Sequence, residues 1–197
     1  MKIKLIYVSL MLTLFVSNVN SKDSRVQQNN SSSLPQTITL YTPQDKTTGK
    51  YDESRACFSF KFGTNKRPNS TDWDLGYGFI RIGDEDWLRV STIGDSRSVI
   101  KDLGKFGWSD SFRVPVLEPL PELKAGENRR ITIDSSADTH KAWKESTDIF
   151  AKAEVEHMYV VHVKDKERDF YVLFRVEELG QEEYCKISWK RVATPEK

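Results

Sequence analysis

Residues 169–177 (DFYVLFRVE) carry apolar side chains on both faces of an extended segment. Phe170, Val172, Phe174 and Val176 alternate onto one face, and Tyr171 and Leu173 onto the other. A strand of this kind is a central one, covered on both sides. Two further apolar runs flank it, residues 156–163 (EHMYVVHV) and 185–191, joined to it by the charged link 164–168 (KDKER) and the glycine-containing link 180–183. Links this short between neighbouring strands imply an antiparallel meander. A chain with that meander needs a second layer to cover it.

Upstream, residues 37–41 alternate with Ile38 and Leu40 on one face, and residues 56–62 alternate with Ala56, Phe58, Phe60 and Phe62 on one face. Residues 77–82 and 87–91 flank Gly83-Asp84-Glu85-Asp86, a turn sequence that predicts a hairpin. Ile131 and Ile133 mark a short strand. Between Gly94 and Gly126 the chain is irregular, and Pro115, Pro119 and Pro121 interrupt any regular element. Residues 138–153 are the one helix candidate, with Asp138 as cap and Trp143, Ile149, Phe150 and Ala153 roughly on one stripe. The predicted fold is therefore mostly β. It is a single β-sandwich-like domain over residues 37–192, with a C-terminal antiparallel meander, one long irregular loop and one short helix candidate.

The N-terminus reads as a secretory signal peptide, residues 1–21. Lys2 and Lys4 precede the apolar run 5–16 (LIYVSLMLTLFV), and Val19 and Ser21 occupy the −3 and −1 positions of a cleavage site. A run of this length is shorter than the roughly 20 apolar residues of a spanning helix. Residues 22–36 read as a disordered polar linker and residues 193–197 as a flexible tail. The expected location is secreted or periplasmic, with no membrane insertion after signal cleavage. Cleavage removes two lysines and no acid, taking the formal charge from +1 to −1. A balanced charge offers no handle for nucleic acid, which is bound by neutralising phosphates.

Cys57 and Cys185 form a candidate disulfide, as expected of an exported chain. Closing a loop of about 128 residues would add about 5 kcal/mol in the chain-entropy model. Against that, Cys57 alternates with the apolar face of its run while Cys185 lies on the apolar face of its own. A bridge needs converging Cβ vectors.

Catalytic motifs are sparse. Gly94-Asp95-Ser96 resembles the Gly-Asp-Ser block of the GDSL hydrolases over three residues, a resemblance that implies Ser96 as nucleophile in an alternating α/β fold with a late Asp-x-x-His. Arg97 stands where that block has Leu, and the chain has no Asp-x-x-His. The segment reads as a turn. Gly107-Trp108-Ser109-Asp110-Ser111 ends in Ser where a nucleophile elbow has Gly. Asp72-x-Asp74-x-Gly76 opens like a calcium loop but lacks the later Gly and Glu, so it reads as a solvated loop. His157 and His162 are five apart on one strand and face opposite ways. No P-loop, G-x-G-x-x-G or C-x-x-C occurs, and no cofactor or metal is implied.

What remains is a set of aromatics beside polar turns. Trp73, Tyr77, Trp108 and Trp143 are the candidate ligand-binding residues, since Trp and Tyr pair an apolar face with a polar handle. The expected function is a non-catalytic binding or interaction module for a protein or carbohydrate ligand. The alternatives are an extracytoplasmic hydrolase with an unrecognised site and a structural cell-envelope component. The Val19/Ser21 pair predicts a mature N-terminus at Lys22, within two residues. Intact mass of the exported protein checks this, and retention of residues 1–21 refutes it.

Overall fold

The structure, a computed structural model, describes residues 34–67, 70–82, 85–108, 113–123 and 148–196. The signal segment, Trp143, the Ile131/Ile133 run and most of the helix candidate lie outside the described residues.

Two five-stranded antiparallel sheets form a β-sandwich-like domain. The first has the order β1 (Gln36–Tyr41), β10 (Tyr184–Val192), β9 (Asp169–Gly180), β8 (His157–Lys164), β6 (Val99–Lys105). The second has the order β3 (Thr64–Asn65), β2 (Cys57–Ser59), β4 (Leu75–Ile82), β5 (Glu85–Val90), β7 (Phe150–Lys152). The meander is β8, β9 and β10, with β9 at the centre of its sheet. Its inward residues Val172, Phe174 and Val176 join Phe58, Leu75, Leu88 and Ile187 in the core between the sheets. Its outward residues Tyr171 and Leu173 join Met158 and Val160 in a second cluster, covered by Leu103, Trp108, Val114 and Leu117.

The long loop is that cover, and polar groups fix it in place. The imidazole of His162 bonds the Leu117 carbonyl at 2.8 Å through Nδ1 and Asp169 at 2.9 Å through Nε2, and stacks on Tyr171 at 4.2 Å. The Leu117 N–H donates to the Tyr171 hydroxyl at 3.1 Å. Burial pushes the Asp169 carboxyl up, but hydrogen bonds from Lys164 and His162 outweigh it and hold the group below its ordinary value.

Two buried aspartates join the sheets, one at each end of β4–β5. Asp74 is 1 % exposed. It accepts from the Arg168 guanidinium at 2.5 Å, the Phe60 N–H at 2.7 Å and the Ser59 hydroxyl at 3.2 Å. Arg168 also holds Asp165 and donates to the Thr71 carbonyl at 2.8 Å. The stretch around Asp74 is thus no solvated loop: it grips the β8–β9 turn. Burial raises the Asp74 carboxyl, against the pull of Arg168 and the Phe60 N–H. At the opposite end Asp86 accepts from the Tyr77 hydroxyl at 2.9 Å and from the Glu182 N–H, in the β9–β10 turn, at 2.8 Å.

Three further expectations are corrected. Residues 150–152 form β7, so the last turn of the helix candidate is a strand on β5. Phe62 lies beyond β2, 48 % exposed beneath Lys61 and Lys66. Glu85 and Asp86, expected in the β4–β5 turn, belong to β5, where they pair with Ile82 and Arg81.

Removing Arg168 leaves Asp74 buried without its cation, and breaking such a pair costs about 3–5 kcal/mol. Arg168→Met is expected to lower the denaturant unfolding free energy by that order. Lys166→Met, on the exposed side of the same turn, should change it by less than about 0.5 kcal/mol. Equal small effects would refute the role given to Arg168.

Candidate functional site

On one side β6 and β7 are the outermost strands of their sheets, and the Ile100 N–H donates to the Asp148 carbonyl at 2.7 Å between them. A cleft of about 660 Å³ runs there. Val99, Ile100, Phe150 and Ala151 give it an apolar floor, and Val116 and Leu117 of the long loop form one wall. Trp87 and Lys152, cross-strand partners on β5 and β7, contribute to the other. The indole Nε1 of Trp87 is buried and has no hydrogen-bond partner among the described residues. A buried donor left unpaired is rare and costly in a native fold. Lys101 also lines the cleft and makes no ion pair among the described residues.

At one end of the cleft three ionisable groups meet. Asp102 of β6 lines the cleft and places Oδ2 2.9 Å from His157 Nδ1. Glu154, just after β7, places Oε2 3.1 Å from His157 Nε2. One donor atom from each residue lies within 4.8 Å of the others. Two backbone irregularities bring them together. β6 slips register against β8 between Asp102 and Lys105. Gly104 within that bulge has φ +84°, and its N–H bonds Asp102 Oδ1 at 2.7 Å. Glu156, next to His157, has φ +70° without being glycine, a conformation costing about 1–2 kcal/mol. The Tyr159 hydroxyl accepts from the Glu154 N–H at 2.9 Å and donates to the Lys152 carbonyl at 2.7 Å. Burial, with the charge of Asp102 behind it, pushes the Tyr159 phenol up, so it keeps its proton. Hydrogen bonds to Glu85 and Glu154 raise the Lys152 ammonium.

The residues singled out from sequence are not assembled here. Trp73 and Tyr77 are 2 % and 0 % exposed, so neither offers a ring to a ligand. Tyr77 belongs to the inter-sheet core, and the Arg89 guanidinium stands 4.9 Å from the Trp73 ring centre. Trp108 is half-buried on the outer face of the other sheet, donating from Nε1 to Ser188 at 2.9 Å. Trp143 lies outside the described residues. Ser96 is 2 % exposed and donates to the Ser91 carbonyl at 2.7 Å. That is the bonding of a turn serine.

No family model matches the chain, and no curated protein or solved structure matches it.

Cys57 and Cys185 are free and fully buried. Cys185 lies in the core between the sheets. Cys57, Gly76 and Arg89 are successive cross-strand partners, so they share the outer face of the second sheet. That face is covered as well. The Arg89 guanidinium lies 4.0 Å from the Phe79 ring centre, and a Cβ on Gly76 would meet Arg89 and Phe79 atoms at 3.3 Å. Cys57 is therefore not the exposed thiol that its alternation suggested. Burial pushes its pKa up to about 12 and raises that of Cys185 too. Both thiols should resist an aromatic disulfide reagent in the native protein and react together on unfolding. Prompt labelling of Cys57 alone would refute this packing.

Proposed function

We propose that the chain is an exported, non-catalytic binding module whose ligand lies in the β6–β7 cleft. The observation that carries this reading is the indole N–H of Trp87, without a partner among the described residues, beside a cleft lined by both apolar and charged side chains. Clefts with an apolar lining and a few polar groups are the usual ligand seats of small domains. A peptide suits this one best. It offers apolar side chains for the floor, carbonyl acceptors for Trp87 and Lys101, and a backbone that matches the sheet edges on either side. Catalysis has less support. Both nitrogens of His157 face carboxylate oxygens, which leaves neither to take a substrate proton.

Peptide and glycan arrays probed with the protein would supply a ligand. Trp87→Phe keeps the ring and removes the donor. It is expected to weaken that ligand roughly tenfold, the worth of one hydrogen bond to a group otherwise left unpaired. Thermal stability should fall modestly, because the smaller ring leaves space against the core, offset in part by the loss of an unpaired donor. A ligand bound equally by wild type and Trp87→Phe, with no protection of β6 or β7 in hydrogen exchange, would refute the cleft.

A further inference from the structure

At the end of the cleft, Asp102, Glu154 and His157 face one another. Asp102 Oδ2 lies 2.9 Å from His157 Nδ1 and Glu154 Oε2 lies 3.1 Å from Nε2, so the two carboxylates meet different ring nitrogens. One donor atom from each residue, within 4.8 Å of the others, makes up a set that a divalent transition metal takes: one imidazole nitrogen and two carboxylate oxygens. We infer that this cluster is a binding site for a zinc-class divalent cation, with Asp102, Glu154 and His157 as ligands and water completing the shell.

Three features support the inference beyond proximity. Each carboxylate is held by a second donor that leaves one oxygen directed at the imidazole. The Gly104 N–H holds Asp102 Oδ1 while Oδ2 faces the ring. The Lys152 ammonium holds Glu154 Oε1 at 3.0 Å while Oε2 faces the ring. Outer partners of this kind orient metal ligands and raise affinity. The site is also partly withdrawn from solvent: the side chains of His157, Asp102 and Glu154 are 16 %, 34 % and 36 % exposed. Finally, its ligands come from both sheets, β6 and β8 on one side and the segment after β7 on the other. Tetrahedral zinc sets its donors about 3.4 Å apart, from bonds of about 2.0–2.2 Å. Closing to that distance on a single ring nitrogen requires Glu154 to leave Nε2 or Asp102 to leave Nδ1. The imidazole then gives one nitrogen to the metal and loses its proton.

The test is calorimetric titration of the purified protein with Zn²⁺ near pH 7.5, with Ca²⁺ as the comparison. One Zn²⁺ per chain is expected, bound more tightly than Ca²⁺, with affinity falling on acidification as protons compete for the imidazole. His157→Ala should weaken binding by more than about tenfold. Asp102→Asn with Glu154→Gln should do the same, and these isosteric changes keep the test open if His157→Ala fails to fold by circular dichroism. The imidazole nitrogens of His157 should shift in NMR spectra on adding Zn²⁺. The inference is overturned if Zn²⁺ does not bind, if Ca²⁺ binds as tightly, or if the folded variants bind as wild type does. Its outcome is independent of the peptide reading, since no peptide is present.

Discussion

The Asp74–Arg168 pair is the contact on which the relation of the two sheets depends. Asp74 stands at the start of β4 and Arg168 ends the turn between β8 and β9, 94 residues away. A carboxylate this deeply buried is tolerable only when its oxygens are filled, and here a guanidinium, a backbone N–H and a hydroxyl fill them. Each donor comes from a different place: the first sheet's turn, the end of β2, and residue 60 just beyond it. Asp86 makes the second link at the far end, where its Oδ2 accepts from the β9–β10 turn while Oδ1 has no partner among the described residues. Apolar packing between sheets is non-directional and would accept small slides. Two polar contacts at opposite ends remove that freedom. The cleft and the ionisable cluster both lie between the sheets, so their geometry inherits the restraint.

The cluster also shows where the fold departs from regular geometry. A bulge in β6 and a left-handed Glu156 both fall beside it, and Tyr159 bonds the backbone of Lys152 and Glu154 beneath it. Irregular backbone of this kind persists only where surrounding contacts enforce it. Here the enforcing contacts are the Gly104 N–H on Asp102, the Tyr159 hydroxyl on Glu154, and the Glu156 N–H, which donates to the Val176 carbonyl at 2.8 Å.

Much of the fold was legible in the sequence. The two-faced pattern of residues 169–177 placed β9 at the centre of its sheet and required a cover on the outer face, which the long loop provides. The β4–β5 hairpin followed from its turn residues. The short strand β7 did not, because three residues are too few for alternation to show, and Ile149, Phe150 and Ala153 equally fit a helical stripe. The site was largely illegible. Asp102 and His157 lie 55 residues apart and meet only through the β6–β8 register. Asp74 looked solvated because its partner is distant in sequence. Trp73 and Tyr77 misled because an aromatic beside polar residues is as common in a sandwich core as at a binding face. Nothing in the sequence marks the indole N–H of Trp87 as one left without a partner.

The placement of the two cysteines constrains how the chain must fold in an oxidising compartment. Cys185 faces the space between the sheets, while Cys57 lies on the far side of the second sheet. Neither thiol can reach the other once the sandwich has closed. Before closure nothing keeps them apart, and a bridge between them would tie an inner face to an outer one. Such a crosslinked chain could complete neither sheet. In an oxidising compartment, productive folding would then require sandwich closure to outpace oxidation.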